Sequence, residues 1–195
     1  MGEKSARKKQ YILEKAREVF MEKGYKRVTM KDIVEACEIS RGGLYLYFDS
    51  TNQIFMELLS GQNSDASSAF GGKISADASA TDLLLQFLKE QKKIILFNGK
   101  SLTQATYEYY FENKETAQEN YLKKQFEAQV KILQTLIDAG CEDDEFYCED
   151  SYEAARNIVF LLEGLKISAQ TVGITAQEID NQMLYVLTTL GAGEE

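Results

Sequence analysis

The stretch Arg41-Gly42-Gly43-Leu44-Tyr45-Leu46-Tyr47-Phe48 has the residue types that point most directly to chemistry. An Arg presents a planar fork that bonds guanine O6 and N7 together, a contact worth about 1–3 kcal/mol of base discrimination. Paired glycines let a backbone come close to a phosphate or a base edge. Tyr45 and Tyr47 supply hydroxyls for phosphate and ring faces for thymine methyls. As a helix the stretch is poor, because Gly42 and Gly43 each cost about 1 kcal/mol relative to Ala in a helix interior. Selection for stability alone would not produce it; close approach to a duplex would. Catalysis, by contrast, lacks its usual means. The chain has no His, which removes Ser-His-Asp and Cys-His constellations and His-ligated zinc. Cys37, Cys141 and Cys148 are too few for a four-cysteine zinc site or a disulfide framework. No nucleophile–base pair or phosphate loop is visible. Neither an enzyme nor a metal or other cofactor is expected.

The elements that must position these residues can be read from composition and periodicity. The chain has 195 residues, of which 44% are hydrophobic and 27% charged, and it contains no Pro. A sandwich or barrel with many turns would use some Pro, so an all-α fold is expected. The net charge is −9, which at first argues against nucleic acid. Its distribution reverses that inference. Residues 1–48 carry eleven Lys and Arg against seven Asp and Glu; the remainder carries eleven against 24. Such asymmetry suggests a basic contact module on an acidic body. No run approaches the roughly 18 apolar residues of a membrane span. The charged start of the chain does not read as a signal peptide, and a cytoplasmic protein without membrane contact is expected.

Ile12, Ala16, Val19 and Phe20 lie on one face of a helix over 7–23, with Ser5 as a candidate cap and Gly24 as its stop. Thr29 followed by Asp32 resembles a capping box for a second helix, with Ile33, Val34 and Cys37 inward. Glu38-Ile39-Ser40 is a turn; Ser40 caps the glycine-containing helix, whose anchors are Leu44 and Phe48, and Ser50 caps the next. Two short helices across a tight turn, braced by a longer one, make a helix-turn-helix.

The segment VTMKDIVEACEISRGGLYLYFDSTNQIFMELL (Val28–Leu59) resembles the DNA-binding domain of the TetR family of transcriptional regulators. Thr29, Ile33, Ala36, Ile39, Ser40, Gly42, Leu44, Tyr45, Tyr47, Phe48 and Ser50 match in spacing, and Phe20 with Gly24-Tyr25 matches the preceding helix. Three departures stand out: Glu38 where the family has Gly, Val34 for Ala, and Thr51 for Lys. The resemblance implies that the N-terminal end of the glycine-containing helix enters the major groove of double-stranded DNA. Arg41 then reads bases, while Gly42 and Gly43 allow close approach. Tyr45 and Tyr47 contact phosphate and thymine. Thr29, Lys31, Ser40, Ser50 and Thr51 grip the backbone at helix starts, and Lys8 and Arg27 belong to the diffuse basic footprint that also takes in Lys4, Arg7, Lys9 and Lys26.

Residues 60–81 are rich in Ser, Ala and Gly and read as a loop, with Gly71-Gly72 ending the helix begun at Ser50. Thr81-Asp82 is expected to cap a helix carrying Leu84, Leu88, Gln91 and Ile95 on its inward stripe, followed by a helix over 102–112, one capped by Thr116 that runs to Ala139 and is ended by Gly140, and two last ones over 151–171 and 175–190. The acidic run Glu142–Glu145 reads as a solvated loop. Phe87, Tyr107, Tyr110, Phe111, Tyr121 and Phe126 either fill a core or line a pocket for a flat or greasy small-molecule effector. Gly164 is read as a close helix approach. The resemblance implies a homodimer built on the last two helices, with Ala155, Ile158, Leu162, Leu165, Met183, Val186 and Leu190 on its face. The expected organisation is a helix-turn-helix DNA-binding domain over 1–50 and a larger helical ligand-binding and dimerisation domain over 51–195. The expected function is that of a ligand-released repressor on a palindromic operator; the rival is a helical ligand- or protein-binding module whose helix-turn-helix no longer reads DNA.

Overall fold

A computed structural model of the chain describes residues 3–62, 78–97, 101–113 and 120–192. Among the described residues there are helices and no strands, in the order α1 (Glu3–Lys23), α2 (Met30–Cys37), α3 (Arg41–Tyr45), α4 (Thr51–Gln62), α5 (Ala80–Leu96), α6 (Thr103–Glu112), α7 (Tyr121–Glu142), α8 (Ser151–Thr171) and α9 (Ala176–Thr189). No helix is long and apolar enough to cross a membrane among the described residues.

The chain divides into two compact units, and the division is not the expected one after residue 50. The first takes Met1–Asp65 together with Gly99–Glu119, so α6 joins α1–α4. Its core is Ile12, Ala16 and Phe20 from α1, Ile33 and Cys37 from α2, Leu44 and Phe48 around α3, and Ile54, Phe55 and Leu59 from α4. The predicted stripes are largely the observed ones; Val34, expected inward on α2, is only half-buried. Gly24 has the expected left-handed backbone at φ 73°. Ser5, however, is not a cap, because α1 is already helical at Glu3.

The second unit takes Ala66–Asn98 and Asn120–Glu195. Here α5 packs against α7, α8 and α9, and α7 lies along α8. Leu84, Phe87 and Leu88 from α5 meet Val130, Leu133 and Ile137 from α7 and Ile158, Val159 and Leu162 from α8 in one buried cluster. Several expected caps shift. The α5 capping box is Ser79 with Asp82, not Thr81. Asn120 caps α7; Thr116 lies outside the described residues, as does Gly71-Gly72. Gly140 does not end α7 but lies within it, and the Phe146 ring takes the space of its missing Cβ, which would fall 2.2 Å from that ring. Glu145 is not a solvated part of the acidic run: its carboxylate accepts from the N–H groups of Ala80 and Thr81 at 3.1 and 2.8 Å. Those bonds, with help from the Thr81 and Ser79 hydroxyls and against the opposing pull of burial, hold its carboxyl below the usual range. Among the described residues Gly164 has no atom that a Cβ would touch, and it is exposed to solvent.

Candidate nucleic-acid interface

The site begins with the helix that supports it. The Thr29 N–H and hydroxyl both donate to Asp32 Oδ2, at 2.8 and 2.6 Å, and the Asp32 N–H donates back to Thr29 Oγ1 at 3.3 Å. Lys23 Nζ at the end of α1 donates to Asp32 Oδ1 at 2.7 Å. The Lys23 ammonium first, then the Thr29 donors, hold the Asp32 carboxyl down at about 2. The capping box thus also ties α1 to α2. Both Thr29 donors are committed to Asp32, so Thr29 positions the helix rather than offering its hydroxyl proton outward.

The turn follows. Glu38 is left-handed, with φ 53° and ψ 42°, and its N–H donates to the carbonyl of Glu35. A non-glycine residue in that region carries strain on the order of 1 kcal/mol. Ser40 then caps α3, its Oγ accepting from the Gly43 N–H at 3.1 Å. Gly43 lies against this cap: a Cβ would stand 3.2 Å from Ser40 Oγ. Gly42 differs, because none of the described residues lies within 4 Å of where its Cβ would be. Folding does not demand a glycine at 42; an outside surface pressed against the backbone would.

On α3 the buried anchors are Leu44 and, just beyond it, Phe48. Arg41, Gly42 and Tyr45 are exposed, and Tyr47 is half-buried. The Arg41 guanidinium rests 5.5 Å from the centre of the Tyr45 ring, a contact that pre-orders a long side chain at little energetic cost. Leu46 is 81% exposed. Sequence reasoning gave it no role, although its position two residues after buried Leu44 signalled an outward direction. An exposed Leu beside Arg41 and Tyr45 suits a thymine methyl.

The remaining sequence-predicted residues surround this face. Ser50 accepts from the Gln53 N–H at 3.1 Å and begins α4, with Thr51 half-buried as its first residue. Lys31 is exposed and only loosely paired with Glu35, at 3.7 Å. Lys8 lies 4.9 Å from the centre of the Tyr11 ring. Arg27 is exposed and bonds the Lys23 carbonyl through Nε at 2.9 Å. Lys9 and Lys26 are less available than the footprint supposed, since Lys9 pairs with Glu57 and Lys26 with Glu112.

The Lys26 pair is part of a larger attachment of α6 to the helix-turn-helix. Tyr109, 3% exposed, meets Tyr25 edge-on at 5.0 Å and Phe55 at 5.6 Å. Glu108 accepts from the Lys26 N–H at 3.1 Å and from Gln104 Nε2 at 2.8 Å. Burial pushes the Glu108 carboxyl up, but the hydrogen bonds from Gln104 and the loop N–H groups outweigh it and hold it below the usual range. A Cβ on Gly24 would fall 2.5 Å from that carboxylate. Gly24 therefore serves both its own left-handed turn and the approach of Glu108.

The residues expected to line a pocket are not one cluster within either unit. Tyr107, Tyr110 and Phe111 belong to the first unit, where Phe111 is 80% exposed; Phe87, Tyr121 and Phe126 belong to the second. Phe87 is core, Tyr121 accepts from Gln125 Nε2 at 2.6 Å, and Phe126 packs on Phe160 at 4.8 Å. The expected dimer face is corrected more sharply. Ala155, Ile158, Leu162, Leu165, Met183, Val186 and Leu190 are all buried in the core of the single chain. The large apolar and aromatic side chains that α8 and α9 leave outside are Tyr152, Phe160, Ile167, Leu184 and Tyr185. Among the described residues no group of three or more acidic or cysteine side chains is placed to hold a metal ion.

Comparison with known proteins agrees with this geometry. The domain described as bacterial regulatory proteins, tetR family, matches residues 12–58, and the tetracyclin repressor-like C-terminal domain matches residues 83–180. The HTH-type transcriptional regulator YfiR of Bacillus subtilis (strain 168) is 32% identical over 138 residues, covering 69% of this chain and 66% of that regulator. Two solved structures share the fold. One is a bacterial regulatory protein in the tetR family from Rhodococcus RHA1, with TM-score 0.72 and 18% identity, covering 96% of this chain and 98% of that one. The other is the fatty acid degradation regulator FadR from Bacillus halodurans, with TM-score 0.72 and 17% identity, covering 92% and 94%.

Proposed function

The chain belongs to the TetR family and is a ligand-responsive, DNA-binding transcriptional regulator; from that premise we propose that it is a repressor that reads a palindromic operator through α3. The observation that carries the reading is the composition of α3's outer face: Arg41, Gly42 and Tyr45, with Leu46 just beyond the helix, lie in solvent, while Leu44 and Phe48 are the buried anchors. Arg41 reads guanine, Tyr45 and Leu46 meet bases, and Tyr47, Ser40, Lys31, Ser50, Thr51, Lys8 and Arg27 engage the backbone. Thr29 supports them through Asp32.

Two copies pair through the outer faces of α8 and α9, Phe160 and Ile167 against Leu184 and Tyr185. Gly164, exposed between Phe160 and Ile167 along α8, leaves room for a partner helix. A two-fold pair presents two α3 helices to two half-sites. Release follows from chain connectivity. α6 is joined at both ends to helices of the second unit, α5 and α7, yet is fixed by Tyr109, Glu108 and Glu112 to the first. A small molecule that favours a different spacing of α5 and α7 draws on α6, and through it on the helix-turn-helix, lowering operator affinity by its differential affinity for the two states. The protein works on DNA in the cytoplasm. Selection from random double-stranded oligonucleotides tests this reading: it should recover an inverted repeat with half-sites about one helical turn apart, whereas recovery of no enriched sequence would overturn it.

A further inference from the structure

Two amide oxygens in the second unit are shielded from solvent and have no hydrogen-bond partner among the described residues: Oε1 of Gln91 on α5 and Oε1 of Gln129 on α7. Gln91 is 5% exposed and is the one buried polar or charged residue among the described residues of this unit. The two belong to the same level. Glu145, three residues beyond the end of α7, binds the first N–H groups of α5, so the helices run antiparallel. Gln91 lies ~17 Å along α5 from Ala80, and Gln129 lies ~20 Å back along α7 from Glu142, at 1.5 Å per residue. Apolar side chains flank both, Leu88 and Ile95 on α5 and Phe126 and Leu133 on α7.

An unpaired buried amide oxygen destabilises a fold, and an apolar residue of similar length would avoid the penalty. The stripe on α5 is otherwise Leu84, Leu88 and Ile95, so Gln91 interrupts a surface that packing alone would complete with Leu or Met. Charge narrows what the oxygens can meet. Among the described residues of the unit no Lys or Arg is buried to neutralise a carboxylate or phosphate, and no Asp or Glu is buried to neutralise an ammonium. An ion brought to this level would stay unpaired, at far greater cost than a neutral donor.

We propose that Gln91 and Gln129 form the polar subsite for the effector, accepting hydrogen bonds from the hydroxyl or N–H of an uncharged, largely apolar molecule. The inference rests on the reading of the second unit as the ligand-responsive part of a DNA-binding regulator. Its chemistry is distinct from that of a site for an acyl anion or an organic cation, either of which needs a buried counter-charge.

The test uses the full-length protein and two isosteric probes, indole, which has an N–H donor, and benzofuran, which has none. In thermal denaturation without probe, Gln91→Met and Gln129→Met should each raise Tm by about 2–4 °C, the shift expected at this chain length when a buried unsatisfied group is removed. In calorimetric titration, indole should bind wild type at least ~10-fold more tightly than benzofuran, and the preference should vanish in the double Met variant. A fall in Tm would mean that the oxygens are satisfied by structural water or by the fold, and would overturn the subsite. So would a wild type that binds the two probes equally, binds neither, or prefers benzofuran. Binding of wild type to its selected operator without probe is measured alongside. Loss of that binding sinks the regulator reading, whereas intact operator binding with a failed Met or indole result sinks the subsite alone.

Discussion

The helix-turn-helix unit and the helical bundle obey the same packing rules, yet they differ in where polar and apolar side chains go. In the first unit, α3 buries Leu44 and leaves Arg41, Tyr45 and Leu46 outside, so its least stable helix carries the most distinctive surface. In the second, α8 and α9 place their most regular apolar stripes inside their own chain, and the faces available to others are the irregular ones. Regular periodicity therefore reports a helix's own core. The residues that break it are the ones left exposed for a partner to meet.

Four substitutions sharpen or break that contrast. The largest effect is expected from Tyr109→Ala, which removes the α6 ring packed on Tyr25 and Phe55. It should cost about 3–5 kcal/mol in denaturant unfolding; a loss below about 1 kcal/mol would detach α6 from the first unit's core. Gly140→Ala acts in the bundle, where the added methyl meets the Phe146 ring. Overpacking outweighs the better helix propensity of Ala, leaving a net loss of about 1–2 kcal/mol, and no stability change would mean that Phe146 moves aside freely.

Asp32→Asn comes next and is a matter of pH. The folded carboxyl titrates at about 2, below its ordinary 3.8, so its stabilisation is fully present above about pH 4 and is lost as pH falls through 2. With Lys23 well exposed to water, screening keeps the gain to about 1 kcal/mol. The variant should be less stable than wild type by that amount at pH 7, and the gap should close between pH 4 and 2; a gap constant with pH would remove the ionic contribution. The smallest effect is that of Glu38→Gly. Relief of the left-handed backbone should stabilise the protein by up to about 1 kcal/mol, and destabilisation would show that the Glu side chain contributes more than its strain.

Much of the first unit was legible because short-range constraints fix it. Thr29 with Asp32, Ser40 before Gly42-Gly43, and Gly24 after Phe20 each satisfy a backbone group within a few residues, and the structure contains all three. Glu38 was marked only by the resemblance, as a Glu where the family has Gly; its left-handed backbone is seen in the structure. Leu46 was missed because its side-chain type suggests a core, and only its phase relative to Leu44 points outward. In the bundle, the inward stripe of α5 was read correctly down to Gln91, but its use was not, since an orphaned oxygen is visible only once its neighbours are placed. The membership of α6 in the first unit was illegible too: it depends on Glu108 and Tyr109 meeting residues some 80 positions earlier in the chain.

The central claim is that α3 reads bases through its solvent-facing residues, with Arg41 foremost. The most direct measurement compares wild type and Arg41→Ala binding to the selected operator and to the same duplex with the contacted guanine replaced. Wild type should discriminate between the two by about 5- to 150-fold, corresponding to 1–3 kcal/mol, and the variant should bind both alike. Equal discrimination by the two proteins would contradict it.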